Sequence, residues 1–426
     1  MTATATATSN KLNFTAKLSS LKSGLRPAIE VATKGALKDC KDTNHITLEA
    51  ADGQLTAYAY GGRLGCTVSI SNLTDQDLGY TCDTEGKITV NAVDLMKNLD
   101  SFPESETVAI ISTGNELKIQ KAGDSEEVQA LPLLNDEVVP PPFATSFDKE
   151  LTVPRGLFLE GIKQTFWAVG FEDHKEQYLY WRLIAEKGAA NFAAGTGGRF
   201  ARWDTWALNN SSFLGSADTT QFFFHKDQTP ALQSIIGALS SDDVIIRQAT
   251  RKGDTPDQIV FEAGDVKIIF VGFNPNIKWP NIDKNIKEKK PYEIETKVSD
   301  WEYATKGLLA TFSEEIKREH DSHESDIEAK LDKGFILLTS RTGLRAQRKV
   351  PIIDIKQRGD VADGLEFHCS TPYIGEIFSK NPKGSNVFIQ HHEDTARPVF
   401  IVGSKNTNDA AGFESQLTVF FASMKS

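Results

Sequence analysis

The sequence predicts an α+β fold made of one unit that occurs three times along the chain. The first observation is the length, because 426 residues correspond to about three domains of roughly 150 residues each. The second is an internal repeat whose marker positions, Val108, Val244 and Val387, lie 136 and 143 residues apart. The third is that each unit combines amphipathic helical patterns with short alternating runs that are typical of antiparallel strands.

Each repeat contains a helical pattern, a turn with small or acidic residues, and a strand with the pattern V-x-I. The three strands contain Val108 and Ile110, Val244 and Ile246, and Val387 and Ile389. A second helix is predicted to begin each unit, near Lys17, Lys163 and Lys306. Any large α+β protein can place a helix before such a strand, but three copies in the same order favour a true repeat.

Proline and charged residues mark two linkers between the units. Residues 135–146 contain three consecutive prolines, and residues 281–291 carry a run of charge. The sequence therefore predicts domains at 11–140, 150–280 and 292–426.

Composition limits the classes of function. The net charge of −11 argues against a protein that coats nucleic acid through bulk basicity, although an acidic exterior can coexist with a basic inner face. The four cysteines lack C-x-x-C spacing, which predicts neither a zinc site nor a disulfide framework. No apolar run is long enough for a membrane span, and the polar start does not resemble a signal peptide. We therefore expect a protein of a reducing cytoplasm.

The middle unit carries a resemblance to a known family. It begins with LTVPRGLFLEGIKQTFWAVG and reaches the motif AGTGGRFA at Ala194–Ala201. This motif resembles the A-T-D-G-x-R-L-A of the bacterial-type DNA polymerase III β subunit, the β sliding clamp. The third unit, with LEFHCSTPYIGEIF, and the end of the chain, LTVFFASMKS, are similar to the closing segments of that family. The altered Thr-Asp-Gly and a tail without proline are typical of a divergent clamp, such as one encoded by a phage or plasmid.

The resemblance implies a ring in which helices line a central hole and antiparallel sheets lie outside. Two three-domain chains would close this ring head to tail as a homodimer. It would encircle double-stranded DNA without sequence preference and tether the replicative DNA polymerase, and a clamp loader would bind through a short peptide motif. We expect no enzyme activity and no cofactor, and we expect the protein in the cytoplasm of a bacterial or phage-infected cell.

The resemblance also implies a partner-peptide pocket between the second and third units. Carried over position by position, its residues are Thr196, Gly197, Gly198, Arg199, Phe200, Pro280, Lys284, Phe420, Ala422, Ser423 and Met424. Aromatic, proline and methionine side chains would form an apolar floor, and glycines would let a peptide backbone approach. The alternative is that Phe200 and Phe420 are ordinary core residues.

Basic residues on the predicted helices are candidates for phosphate contacts. These DNA-facing candidates are Lys17, Lys22, Arg26, Lys97, Arg155, Lys163 and Lys306. By resemblance, Phe312 is a candidate apolar contact in the dimer interface.

Other functions remain open at this stage. A scaffold of the same fold could have lost the ring, because the first unit offers Glu126 and Glu127 where the family has an aromatic subunit contact. An enzyme could use a pocket near Arg199 and Trp203. The glycine turn could bind phosphate, although it lacks the Lys-Ser/Thr of a P-loop. Metal could bind His391-His392-Glu393 or the charged run 319–324, but a solvated surface explains both patterns better.

Overall fold

The computed structural model places most of the chain and divides it into two compact units. Unit 1 comprises Met1–Leu159 and Phe222–Asn276, and unit 2 comprises Glu160–Gln221 and Ile277–Ser426. The structure describes residues 11–34, 44–73, 75–124, 126, 128–135, 137–138, 140–170, 175–186, 188–196, 199–207, 219–239, 241–250, 257–271, 277–279, 285–286, 288, 290–311, 326–340, 346–357, 366–392, 398–408 and 413–421. Each unit contains parts of more than one predicted domain, so the three domain boundaries remain a prediction.

Each repeat has a strand and a helix, then a run of strands, a second helix and a final run of strands. The helices in the described ranges are α1 (Leu18–Lys34), α2 (Ala92–Leu99), α3 (Arg155–Thr165), α4 (Thr229–Ala238), α5 (Val298–Leu309) and α6 (Thr371–Ser379). The strands of the first repeat are β1 (Asn13–Lys17), β2 (His45–Ala51), β3 (Gln54–Tyr60), β4 (Leu64–Ser71), β5 (Thr81–Thr84), β6 (Gly86–Asn91), β7 (Thr107–Thr113), β8 (Glu116–Lys121) and β9 (Val128–Pro132). Those of the second are β10 (Lys149–Pro154), β11 (Tyr180–Glu186), β12 (Ala189–Gly195), β13 (Arg199–Ala207), β14 (Thr220–His225), β15 (Asp243–Ala249), β16 (Gln258–Ala263) and β17 (Val266–Val271).

The third repeat follows the same plan. Its strands are β18 (Tyr292–Lys297), β19 (Asp326–Asp332), β20 (Phe335–Ser340), β21 (Gln347–Gln357), β22 (Glu366–Ser370), β23 (Asn386–His391), β24 (Val399–Gly403), β25 (Asn406–Asn408) and β26 (Phe413–Phe421). In the part of the chain that the structure describes, no helix combines the length and apolarity needed to cross a membrane.

The helices form where the sequence predicts them, because each buries one apolar face. In α1, Leu18, Leu21 and Leu25 are fully buried, whereas Arg26 is exposed on the other side of the helix. Helix α2 begins after Asn91, whose side chain accepts hydrogen bonds from two backbone N–H groups of the first turn.

The V-x-I strands of the predicted repeat are confirmed as β7, β15 and β23. Both marker residues of each strand are fully buried: Val108, Ile110, Val244, Ile246, Val387 and Ile389. The two residues are two positions apart, so they lie on the same face of the strand and enter the core. The alternating apolar residues that mark the repeat in the sequence therefore form the inward face of three equivalent strands.

Unit 1 contains two antiparallel sheets. The smaller has the strand order β5-β1-β7-β8-β9, and the larger has the order β10-β15-β16-β17-β4-β3-β2-β6. In the larger sheet, β17 of the second repeat pairs with β4 of the first, from Val266 opposite Val68 to Phe270 opposite Leu64. Two repeats thus share one continuous sheet.

Unit 2 contains the corresponding junction between the second and third repeats. Its strands follow the order β11-β12-β13-β26-β24-β23-β18-β21-β20-β19-β22, and β25 pairs with β26. Here β26 pairs antiparallel with β13, from Arg199 opposite Phe421 to Ala207 opposite Phe413. The same pairing rule holds at both junctions. The last strand of a repeat, β17 or β26, pairs with the third strand after the first helix of the preceding repeat, β4 or β13.

Candidate peptide-binding and DNA-facing sites

The glycine turn of the middle repeat connects β12 to β13. The N–H of Thr196 donates to the carbonyl oxygen of Arg199 at 2.7 Å, and the Arg199 N–H donates to Thr196 Oγ1 at 3.3 Å. Because a strand follows the turn, the geometry differs from the strand-to-helix turn of a phosphate loop. Gly195 has no room for a side chain, since a Cβ there would lie 2.2 Å from the Phe200 ring.

An aromatic cluster forms directly behind this turn. We call it the Phe200 cluster, and its members are Ala193, Phe200, Trp279, Ile286 and Phe420. The ring of Phe200 stacks on Phe420 with 5.0 Å between centroids and meets Trp279 edge-on at 6.1 Å. Opposed backbone positions in β13 and β26 hold Phe200 and Phe420 together. Its three aromatic residues, Phe200, Trp279 and Phe420, are thus in contact although they are 79 to 220 positions apart in the chain.

Members of the cluster differ in exposure. Phe200 is only 2% exposed, so the alternative reading of Phe200 as a core residue describes its environment well. Trp279, Ile286 and Phe420 are partly buried and form the accessible side of the cluster. An apolar ligand would therefore meet Trp279 and Phe420 first, with Phe200 as the support behind them.

Cationic side chains lie against the aromatic residues around the cluster. The guanidinium carbon of Arg182 is 5.3 Å from the Trp279 ring, and that of Arg199 is 5.1 Å from the Tyr373 ring. Lys290 Nζ lies 4.0 Å from the centroid of Phe400, which in turn packs on Phe420 at 5.2 Å. Arg182 and Arg199 are buried, so of these three cations Lys290 is the one at the accessible side.

Lys290 is the most perturbed of these cations. Its Nζ donates to the carbonyl oxygens of Asn285 and Ile286 at 2.6 and 2.9 Å. Burial lowers the pKa of Lys290 to about 8, because the charged amine loses water. At neutral pH this group therefore remains mostly charged, but it releases its proton far more readily than an exposed lysine.

Sequence reasoning named part of this site. Thr196, Arg199, Phe200 and Phe420 lie where the described turn and cluster are, whereas Trp279, Ile286, Arg182 and Lys290 were missed as site residues. For Trp279 a signal existed, since it stands next to the predicted Pro280. The remaining predicted residues lie outside the described part of the chain: Gly197, Gly198, Pro280, Lys284, Ala422, Ser423, Met424 and the interface candidate Phe312.

The DNA-facing candidates fall into two groups. Arg26 on α1 and Lys306 on α5 are exposed, and neither makes an ion pair with another described residue. Lys17 ends β1 and is partly exposed. These three positions present charge that is available to a phosphate.

The other candidates already contact protein groups. Lys22 Nζ lies 2.5 Å from Asp100 Oδ1 and 3.5 Å from Glu104 Oε1, and its hydrogen bond to Asp100 raises its pKa. Lys97 faces Asp94 at 3.9 Å, and Lys163 faces Glu160 at 3.2 Å. Arg155 Nη1 donates to the carbonyl oxygen of Leu239, at the end of α4.

Neither pattern considered for metal gains support, and the preferred interpretation of a solvated surface is wrong for His391. His391 is buried at the end of β23 and stacks on Tyr292 with 4.7 Å between ring centroids. Glu393 and the run 319–324 lie outside the described residues.

Comparison with known proteins identifies the fold. No protein-family model and no curated protein sequence matches the chain. Among solved structures, the β sliding clamp of C. crescentus matches with a TM-score of 0.76 at 14% identity, covering 98% of this chain and 100% of that one. The DNA polymerase III β chain of Streptococcus pneumoniae has values of 0.77 and 12%, with 97% and 100% covered. The chain has the sliding-clamp fold.

A third match, the DnaN sliding clamp of Pseudomonas aeruginosa, has a TM-score of 0.75 at 14% identity and covers 97% of this chain and 100% of that chain. The sliding-clamp fold thus accounts for nearly the whole length of the chain, and the predicted fold class is confirmed. The low identity agrees with the prediction of a divergent sequence.

Proposed function

We propose that the protein is a DNA sliding clamp, a non-catalytic ring that encircles duplex DNA and tethers a replicative polymerase. The observation that carries the proposal is the sliding-clamp fold over 97–98% of the chain. The internal symmetry of the strand pairing supports it independently, because this symmetry leaves one junction for a second chain to complete.

The pairing rule predicts how a ring closes. Strand β17 ends the second repeat and pairs with β4 of the first, and β26 ends the third repeat and pairs with β13 of the second. The strand that ends the first repeat is β9, which lies at the edge of its sheet. By the same rule its partner is the third-repeat strand β21.

The equivalent strands offer open hydrogen-bonding edges. Among the described residues, β9 pairs with β8 alone, and Gln347–Pro351 of β21 pairs with β20 alone. We infer that β9 of one chain pairs antiparallel with β21 of a second copy, and the reverse at the other end. Two chains then give six repeats in a closed, two-fold symmetric ring.

An edge-specific substitution tests this interface. The N–H of Leu133 donates to the carbonyl oxygen of Asn115. In an antiparallel pair, alternate residues of a strand bond to the neighbouring strand and the residues between them point away from it. Ala130, opposite Lys118, is one of the residues between, so its N–H points away from β8. Ala130→Pro removes that outward donor and leaves the β8 pairing in place.

We expect Ala130→Pro to sediment as a monomer and the control Ala130→Thr, which keeps the N–H, to sediment as a dimer like the unchanged protein. An unchanged protein that stays monomeric at micromolar concentration would instead favour a scaffold that does not encircle DNA. A dimeric Ala130→Pro variant would place the interface elsewhere.

The ring function itself is tested on DNA of different topology. A clamp is retained on a nicked circle by linkage and slides off after the circle is cut, because phosphate contacts alone are weak and salt-dependent. The double variant Arg26→Glu with Lys306→Glu should lower loading at least tenfold, since both exposed cations lie on helices. The control Lys267→Glu changes an exposed lysine of β17, which lies in a sheet, and should load normally. Equal retention on circular and linear DNA would contradict encirclement.

The Phe200 cluster is the proposed docking site for a short partner peptide. The P. aeruginosa clamp is known with griselimycin bound, and the C. crescentus clamp with polyethylene glycol at a region linked to β-motif tethering. In this chain, partly buried Trp279 and Phe420 would hold an apolar anchor, and Lys290 beside them would favour an acidic or carboxyl-terminal neighbour.

Peptide binding can be measured by fluorescence titration with the C-terminal segment of the cognate polymerase. Phe420→Ala should weaken binding at least tenfold, because it removes one wall of the cluster. Phe413→Ala is a matched control on the same strand, since Phe413 contacts Trp203 and lies outside the cluster. Affinity within twofold for Phe420→Ala in a folded protein would show that the peptide binds elsewhere.

A further inference from the structure

Two carboxylates and an imidazole meet on the strand pair β19–β22 of the third repeat. Glu328 lies opposite His368, and Lys330 lies opposite Glu366. One potential ligand atom from each of Glu328, Glu366 and His368 lies within 4.8 Å of the other two. The three side chains come from positions two apart on each strand, so they share one face of the sheet.

The histidine is the unusual member of this group. His368 is 93% buried, since its relative exposure is 7%. Its Nε2, the ring nitrogen that lies near the carboxylates, is 3.6 Å from Glu366 Oε1, which is longer than a hydrogen bond, and it makes no hydrogen bond with another described residue. Burying an imidazole without hydrogen bonds is unfavourable, and coordination of a metal ion is one way to satisfy a ring nitrogen.

The internal repeat shows that the fold does not require these residues. Glu328 lies as far before the β19–β20 turn as Thr47 lies before the β2–β3 turn. His368 lies as far before α6 as Thr89 lies before α2, so Glu328 and His368 correspond to Thr47 and Thr89 of the first repeat. There the two hydroxyls hydrogen-bond to each other at 2.8 Å and both residues are buried. A small, fully satisfied polar pair in one repeat is thus replaced in another by two potential metal ligands.

Lys330 places a positive charge beside the two glutamates. Its Nζ lies 3.0 Å from Glu328 Oε1 and 3.6 Å from Glu366 Oε1. The lysine is about half exposed, so it can swing into solvent when another cation takes its place. The two glutamates are accordingly arranged around a positive charge already.

We propose that Glu328, Glu366 and His368 bind a divalent first-row transition-metal ion of the Zn²⁺ type. One imidazole nitrogen with two carboxylate oxygens is a donor set that suits Zn²⁺ or Co²⁺ and is less suited to Mg²⁺, which prefers oxygen alone. With bonds of roughly 2.0–2.2 Å to each ligand, the side chains must approach one another by about an ångström, which exposed Glu366 can supply by rotation. The ion would fasten the edge strand β22 to β19 and leave positions for water.

The test is metal binding to the full chain after removal of bound ions with a chelator. Zn²⁺ is titrated by calorimetry, and Co²⁺ by its visible absorption. The matched variant is Glu328→Thr with His368→Thr, which installs the residues of the first repeat and should preserve the fold. We expect the variant to lose at least tenfold in affinity for Zn²⁺ and to lose the absorption of bound Co²⁺. His368→Gln serves the same purpose if the double variant does not fold.

A second variant separates a metal site from an ordinary ion-pair network. Lys330→Met removes the competing cation and should tighten Zn²⁺ binding at least threefold. Zn²⁺ should also raise the melting temperature of the unchanged protein and leave that of the double variant unchanged. Zn²⁺ affinity that is equal in the double variant and the unchanged protein, or weaker binding by Lys330→Met, would overturn the proposal.

Discussion

Gly195→Ala is the substitution for which the structure gives the clearest magnitude. A Cβ at this position would lie 2.2 Å from Phe200 Cδ2 and 2.7 Å from the Arg199 carbonyl oxygen, well inside the ordinary carbon contact of about 3.5–4.0 Å. The Phe200 ring cannot simply move away, because Phe420 and Trp279 pack against it and it is 2% exposed.

Insertion of one methyl group into such a packed site costs about 1–3 kcal/mol. We expect the free energy of unfolding of Gly195→Ala to fall by that amount, measured by urea unfolding with tryptophan fluorescence and circular dichroism. Trp279 should report the displacement directly, since its ring contacts Phe200. Peptide affinity should fall as well, because the support behind the accessible side of the cluster moves.

The control is Gly237→Ala, an exposed glycine of α4 with no atom within 4 Å of its added Cβ. This change should stabilise the protein by about 0.5–1 kcal/mol, because alanine loses less backbone entropy in a helix. A double-mutant cycle adds a second check, since Phe200→Leu should relieve part of the clash of Gly195→Ala. Equal stability of the Gly195→Ala and Gly237→Ala variants, with unchanged fluorescence, would refute the packing argument.

Three further predictions concern titration and capping. Burial lowers the pKa of Lys290 to about 8, so between about pH 8 and 10.5 the unfolded chain binds more protons than the folded chain. The free energy of unfolding should therefore rise as pH increases over this range. Lys290→Met should abolish this slope in urea titrations. Burial also lowers the pKa of His391, so the folded protein should lose stability as pH falls below about 6.5, whereas His391→Phe, which keeps the stack on Tyr292, should lose less over the same pH range. Asn91→Ala should cost about 0.5–2 kcal/mol of unfolding free energy, and Asn91→Asp, which keeps the cap, should cost little.

The repeat could be predicted because its evidence is local. Val108 and Ile110 alternate on one strand, and Leu18, Leu21 and Leu25 recur on one helix, so a short window of sequence contains the whole signal. Such periodicity reports which face is buried and needs no knowledge of what buries it.

The candidate site could be predicted only in part because its contacts are distant in sequence. Nothing near Lys290 indicates that Phe400 will lie beneath its amine, and nothing near Lys22 indicates that Asp100 will neutralise it. The resemblance supplied Phe200 and Phe420, since the motif carries their positions. It also supplied Arg199, but not Arg182 or Lys290.

The three repeats also show why the fold persists while the sequence diverges. Inward positions such as Ile46 and Ile327 occupy the same place in their strands and remain fully buried, because the core accepts any apolar side chain of similar volume. Polar positions are freer to change, and the buried Thr47 of one repeat corresponds to the partly exposed Glu328 of another. The same reasoning explains why this chain and the S. pneumoniae β chain share a fold, with a TM-score of 0.77, at only 12% identity. Only the inward pattern of apolar residues must be kept. Differences in function are therefore to be sought outside these core positions and at the open strand edges.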